Sequence, residues 1–413
     1  MSGFEGSREL GRPRGGLRGS RPAHFALAAC VALGATGCKN VLEPPGPTGG
    51  QLFDRYVAFG NSITAGFQSA GINDSTQQQS YAALFAQMAG TTFNQPLLAS
   101  PGCPPPAVNI YTGEVVGGPA APPCALRDRQ IPPVLNDVAV PGAAVIDPLT
   151  NLADSSRANT LTTLMLGGRT QFQAARAADP TFVTVWIGNN DVLDAALSGD
   201  TTLITPQATF TARYRALADS IARLPSLEGA ALLGVGFVKY IPNLSLGAAY
   251  WLAKQQNQLP PTFQVSNDCA PSAYGGVGEA ARVPFAYGFG VLMAQALQGQ
   301  VVTLDCVNDP PVLNPDEVAA VHRAVEGYDA TIQEVAQNHN WVFLDPNVLL
   351  LDELQKGNIP PFPTTSGTAA VDQPFGPMFS KDGVHPSATA HVLIANALAQ
   401  AVASRYKTSL PNQ

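Results

Sequence analysis

Two short blocks at opposite ends of the chain carry side chains suited to acyl chemistry. Gly60-Asn61-Ser62-Ile63 sets a hydroxyl directly after the apolar run Tyr56-Val57-Ala58-Phe59. Asp382-Gly383-Val384-His385-Pro386 sets a carboxylate three residues before an imidazole, in a turn that leads into a helix. A carboxylate at turn distance accepts a hydrogen bond from one ring nitrogen and leaves the other facing outward. A hydroxyl brought to that second nitrogen becomes a nucleophile. Either block alone has an ordinary reading, since Ser after a strand is commonly a cap or turn residue and a lone His is commonly structural. Two further blocks lie between them. Val140-Pro141-Gly142-Ala143 offers a backbone N–H that a ligand can approach closely, and Gly188-Asn189-Asn190-Asp191 offers neutral amide donors. These too read individually as turn chemistry. A metal held by Asp382, His385 and His391 is the rival for the second block. The six-residue gap between the two His does not give the one-face placement of an i, i+4 pair, so no metal is expected.

The elements around these blocks alternate short apolar runs with helical patterns, which predicts βαβ units and a parallel sheet. Residues 56–59, 138–140, 181–187, 230–238 and 341–344 read as strands, the third nearly continuous in β-branched and aromatic residues as a buried parallel strand should be. Residues 80–88 and 210–224 have helical apolar spacing. Asn314-Pro315-Asp316-Glu317 is a helix start with a capping Asn, Pro at the first position and acids in the first turn. The last helix is expected from near Pro386 to about Tyr406. The fold predicted is a three-layer α/β/α, flavodoxin-like domain over 54–406, with a central parallel sheet of about five strands and a short tail at 407–413. Residues 94–133, rich in Pro, and 240–305, rich in aromatics, do not fit the alternation and read as long insertions. The second is expected either to cover the site as a folded lid or to pack on the domain's flank.

The chain has 413 residues, is 45% apolar and only 13% charged, and contains 39 Gly and 36 Pro, a composition for a globular fold with long uncharged loops. Five Arg and two Glu fall within residues 1–37, leaving 18 basic and 28 acidic side chains for the remainder. With no basic cluster beyond the N-terminus, nucleic-acid binding is excluded as an expectation. Five Arg followed by an apolar run too short to span a bilayer, which needs roughly twenty residues, predict an export signal over 1–37. Ala35-Thr36-Gly37-Cys38 resembles a bacterial lipoprotein box, so Cys38 is expected to be acylated. Residues 38–53 would then act as a Pro/Gly-rich tether to a membrane. An exported protein meets oxidising conditions, so Cys103, Cys124, Cys269 and Cys306 are disulfide candidates. Proximity along the chain favours Cys103 with Cys124 and Cys269 with Cys306 among the three possible pairings.

Taken together, in this order and spacing, the blocks at Ser62, Gly142, Gly188-Asn189-Asn190-Asp191 and Asp382-Gly383-Val384-His385 resemble the SGNH/GDSL hydrolase family across roughly residues 54–405. The family's usual Gly-Asp-Ser-Leu opening is Gly-Asn-Ser-Ile here. The resemblance implies an exported serine esterase with Ser62 as nucleophile, His385 as base and Asp382 as its partner. It implies an oxyanion hole from the Ser62 and Gly142 N–H groups and the Asn190 amide, with Asn189 and Asp191 holding that loop. It implies no cofactor and a small-molecule or lipid ester as substrate. Membrane contact would come only through a lipid anchor. Lipolysis, carbohydrate deacetylation, acyl transfer and a catalytically weak binding protein stand as alternatives, with a slight lean to acyl or aryl esters from the aromatic insertion.

Overall fold

A computed structural model describes residues 49–124, 132–363 and 372–412. The export segment, Cys38 and the first part of the tether lie outside the described residues.

Four parallel strands form the central sheet: β1 (Tyr56–Gly60), β2 (Phe182–Trp186), β3 (Gly229–Leu233) and β4 (Val342–Leu344), in that spatial order. Tyr56 pairs with Phe182, Phe182 with Gly229 and Ala231 with Val342. The first three strands are buried at every position, which is why they read as unbroken apolar runs instead of alternating ones. Alternate residues nevertheless serve different layers. Val57, Phe59, Val183, Val185 and Leu232 belong to one core cluster, and Tyr56, Ala58, Phe182, Trp186 and Leu233 to another.

Helices cover both faces. They are α1 (Ser62–Ala65), α2 (Tyr81–Ala89), α3 (Gln171–Ala178), α4 (Asn190–Ser198), α5 (Gln207–Ala222), α6 (Pro315–Asn338), α7 (Pro346–Gln355) and α8 (Ala388–Tyr406). Tyr81 and Phe85 of α2 and Leu398 and Val402 of α8 close the second cluster, while Phe210 of α5 and Val325 and Ile332 of α6 close the first. The start of α6 is the expected capping box. The Asn314 side chain accepts from the Asp316 and Glu317 N–H groups, and the Glu317 carboxylate accepts from the Asn314 N–H.

The sheet has four strands where five were expected. Residues 138–140 do run beside β1: Val138 N–H donates to Ala58 C=O at 3.0 Å and Val140 N–H to Gly60 C=O at 3.2 Å. The ladder stops at a single bridge, Ala58 with Asp137. The Gln171 side-chain amide intervenes, its oxygen accepting from the Gly60 N–H at 3.0 Å and its nitrogen donating to the Gly60 C=O at 2.8 Å. A side chain thus supplies the pairing that a fifth strand would have supplied. The 230–238 run also stops early, at Leu233.

Both insertions are structured where described. In the first, Ala107–Asn109 pairs with Glu114–Val115, stapled by Cys103–Cys124. In the second, Leu244–Leu246 pairs with Arg282–Pro284 and Phe263–Val265 with Val302–Leu304. Cys269–Cys306 joins Tyr250, Phe263 and Leu292 in a separate small core. Both disulfides follow the pairing favoured by proximity. Among the described residues, no helix is long and apolar enough to cross a membrane.

Candidate active site

Ser62 stands at the carboxyl end of β1 as the first residue of α1. Asn61, whose side-chain oxygen accepts from the Ile63 N–H at 3.1 Å, caps that helix, so the chain turns sharply and presents the Ser62 hydroxyl at the sheet's edge. His385 Nε2 lies 2.9 Å from Ser62 Oγ, and His385 Nδ1 lies 2.8 Å from Asp382 Oδ2. Side chains 323 residues apart along the chain therefore form one hydrogen-bonded relay.

The Asp382–His385 turn is held from several sides. Asp382 Oδ1 accepts from the N–H groups of Val384 (2.8 Å) and His385 (2.9 Å) and from the Ser380 hydroxyl (3.0 Å). Asp382 Oδ2 accepts from the Ala70 N–H at 2.7 Å as well as from the imidazole. Burial works to raise the Asp382 carboxyl, but the imidazole beside it and these donors outweigh burial and hold it well below the usual range. The carboxylate is thus anionic and fixed. Gly383 makes the turn possible. Its φ is +66°, and a Cβ there would stand 2.9 Å from both the Asn243 nitrogen and the Phe375 ring. Phe67 lies against the other side of the imidazole, ring centroids 4.8 Å apart.

The loop after residue 140 and the start of α4 are stitched together. Asn190 Nδ2 donates to Ala143 C=O at 2.8 Å, and Asp191 Oδ2 accepts from Val145 N–H at 2.8 Å while its Oδ1 accepts from the Thr205 hydroxyl at 2.8 Å. Burial pushes the Asp191 carboxyl up to about 6, against the pull of those hydrogen bonds and of Arg157 and Arg213. The Pro141 carbonyl accepts from Asn159, and Gly142 turns at φ +85°. Among the described residues, neither the Ser62 N–H nor the Gly142 N–H has a protein acceptor. One hydrogen of the Asn190 amide is spent on Ala143 and the other remains. The arrangement offers a base-activated hydroxyl together with donors for a developing anion.

His391, weighed above as a metal ligand, lies in the core beneath α2, with its Nε2 buried and unpartnered among the described residues. It is fully buried, and its Nδ1 accepts from the Tyr81 N–H at 3.1 Å, at the start of α2.

Several supporting residues escaped the sequence reading. Ser69 and Ala70 sit at φ +56° and +57° between Gln68 and Gly71, whose backbones pair with each other. That is the dihedral pattern of a type I′ turn. It aims the Ser69 N–H at the Ser380 hydroxyl (2.8 Å) and the Ala70 N–H at Asp382. Neither residue type is usual in such a turn, so the local sequence carries no mark of it. Asn243, from the second insertion, donates to the Asp382 carbonyl at 2.8 Å, and only the tertiary fold reveals it. Ser380, two residues before Asp382, had a local signal in its position.

The family model for GDSL-like lipase/acylhydrolases matches residues 56–398. The chain belongs to this family. As a GDSL-like lipase/acylhydrolase it is an ester-hydrolysing enzyme. No curated relative matches its sequence. Solved structures similar to it include Axe2, an acetylxylan esterase from Geobacillus stearothermophilus, with 13% identity over 84% of this chain and 94% of that one at a TM-score of 0.37. Another is LAE5, an α/β hydrolase enzyme from the metagenome of Lake Arreo, Spain, with 13% identity over 85% and 94% at a TM-score of 0.37.

Proposed function

We propose that this GDSL-like lipase/acylhydrolase is a serine carboxylic-ester hydrolase working through Ser62, His385 and Asp382. The observation that carries the reading is the unbroken relay from Ser62 Oγ through His385 to Asp382, at 2.9 and 2.8 Å. Ser62 Oγ bonds to the ester carbonyl carbon as its proton passes to His385 Nε2. The carbonyl oxygen becomes an anion received by the Ser62 and Gly142 N–H groups and the Asn190 amide. Collapse breaks the carbon–oxygen bond to the alcohol, which leaves with the proton from His385. Water then attacks the acyl-enzyme, giving its proton to His385. The second collapse releases the acid, and the proton returns to Ser62 Oγ. Asp382 keeps the imidazole in the tautomer this requires and stabilises its cation. No step calls for a cofactor.

Two disulfides fit the oxidising surroundings of an exported protein. We take residues 1–37 as the export signal, Cys38 as the acylated residue and the hydrolase domain as following the tether. Mass analysis of the mature N-terminus tests that part. The chemistry is tested with a fluorophosphonate probe, whose labelling should vanish in Ser62→Ala. A folded wild-type protein that takes no label would overturn the reading and favour a binding protein. Ester products with an added alcohol would point to acyl transfer.

A further inference from the structure

A half-open, mostly apolar pocket of about 120 Å³ lies next to the relay, lined by the chain neighbours of Ser62 and His385 and not by those two residues themselves. Its near wall is made by the neighbours of the reacting residues, Ile63 next to Ser62 and Val384 and Pro386 on either side of His385. From there it runs across the carboxyl ends of β2, β3 and β4, between Leu350 of α7 and Leu393 of α8. This is the crevice where open α/β sheets receive ligands. The carboxylate at its rim, Glu353, is already matched by Lys356 at 2.9 Å and Asn358 at 2.6 Å, so the lining presents no unpaired charge. Apart from the Asn189 amide and Glu353 the lining side chains are apolar, so the pocket favours hydrocarbon over a sugar.

Its size sets a limit. A cavity of about 150 Å³ accommodates one benzene ring, so roughly four to six carbons fill this one. Past Ile241 and Ile359, which line it, a separate and wider groove begins. A long chain would have to pass those two side chains, and an acetyl group would leave the cavity empty. The 240–305 insertion contributes little to the wall, Ile241 being its member there.

Gly236 keeps the space open. A Cβ at this position would meet only Asn189 Nδ2, at 3.8 Å, and its backbone lies outside the left-handed region. A larger residue therefore projects into the cavity without displacing the chain.

Building on the assignment of Ser62 as nucleophile, we propose that this cavity binds the acyl part of the substrate. The enzyme then selects short- to medium-chain or single-ring acyl esters of about four to six carbons, with Gly236 as the residue that sets the limit. Each methylene that enters should raise kcat/KM about three- to fourfold.

The experiment measures kcat/KM for p-nitrophenyl acetate, butyrate, hexanoate, benzoate and decanoate with the full chain. Expected for wild type is a maximum at butyrate, hexanoate or benzoate, with decanoate lower. Gly236→Val should reduce the hexanoate-to-acetate ratio about tenfold or more. Leu393→Ala, which enlarges the cavity, should move the maximum toward longer chains and serves if Gly236→Val does not fold. Acetate equal to or better than hexanoate in wild type, or a ratio unmoved by both substitutions, overturns the inference while leaving the Ser62 mechanism intact. Hydrolysis surviving in Ser62→Ala would instead overturn the mechanism.

Discussion

Asn61 Nδ2 lies 3.2 Å from Asn189 Oδ1, joining the residue before the proposed nucleophile to the residue before Asn190. The same Asn61 side chain caps α1 through Ile63 N–H. One neutral amide therefore fixes both the turn that presents Ser62 and the loop that presents Asn190. A carboxylate at position 61, the family's usual residue there, would keep the cap but has no hydrogen for Asn189 Oδ1, so the Asn189 amide would have to turn and donate its Nδ2 instead.

From this, Asn61→Asp should keep kcat within about tenfold of wild type, since the family's usual Asp at this position is compatible with catalysis. It should also shift the acid limb of the kcat/KM profile to higher pH, since a nearby anion favours the imidazolium. Asn61→Ala should instead cost about 1 kcal/mol of stability through the lost cap and leave that limb in place. Coincident pH profiles for Asn61→Asp and wild type would show that the added charge is not felt at His385.

Asn190 separates catalysis from folding. Its Nδ2 bond to Ala143 is a single neutral hydrogen bond, so Asn190→Ala should cost only about 1 kcal/mol in a denaturant titration. Loss of the oxyanion donor proposed here should lower kcat by about 100-fold or more with KM little changed. A kcat within a few-fold of wild type would remove Asn190 from its role.

What the sequence made legible follows from where each signal is stored. Asp382 and His385 are three residues apart, and Ser62 follows its strand directly, so each half of the site is local and readable. Their meeting is implied by both blocks lying at the same edge of a parallel sheet. The fifth strand was misjudged because residues 138–140 have a strand's composition, while the competitor for Gly60, the Gln171 amide, lies 111 residues from it along the chain. Ser69, Ala70 and Asn243 act through backbone geometry or distant contacts that leave no local pattern. The apolar lining was sought in the aromatic insertion. The pocket proposed for the acyl group is lined largely by α7, α8 and the loop after β3 instead, residues that serve core and pocket alike.

The two disulfides close loops of 21 and 37 residues. By the chain-entropy account each contributes about 3–4 kcal/mol by restricting the unfolded state. Reduction should therefore lower Tm by several degrees, and Cys269→Ala with Cys306→Ala should loosen the insertion core around Tyr250 and Phe263 before the sheet. Hydrogen exchange would show this as faster exchange confined to residues 244–304. Equal Tm values with and without reductant, with thiol titration confirming reduction, would contradict it.

His391 should govern part of the acid sensitivity. Burial and the charge of His385 push its imidazole down to about 3, because protonation would add charge in the core and turn the acceptor of the Tyr81 N–H into a donor. Below the ordinary imidazole value of about 6.5, the unfolded chain takes up a proton that the folded one refuses. Stability from this group is complete above about 6.5 and falls as pH drops toward 3, by up to about 1.4 kcal/mol per pH unit. Asp137 and Asp329, both pushed up to about 7 by burial, act in the opposite sense, gaining stability as pH falls below 7. The whole-protein profile is thus a net of opposing groups, and the comparison that isolates His391 is the difference between wild type and His391→Gln, which retains an acceptor for Tyr81. The variant should be the less stable at pH 7.5, where it loses the packed ring, and the gap should narrow steadily as the pH is lowered to 4. Chemical denaturation at intervals of half a pH unit reads this directly, and parallel curves would mean that the folded protein does not hold His391 neutral.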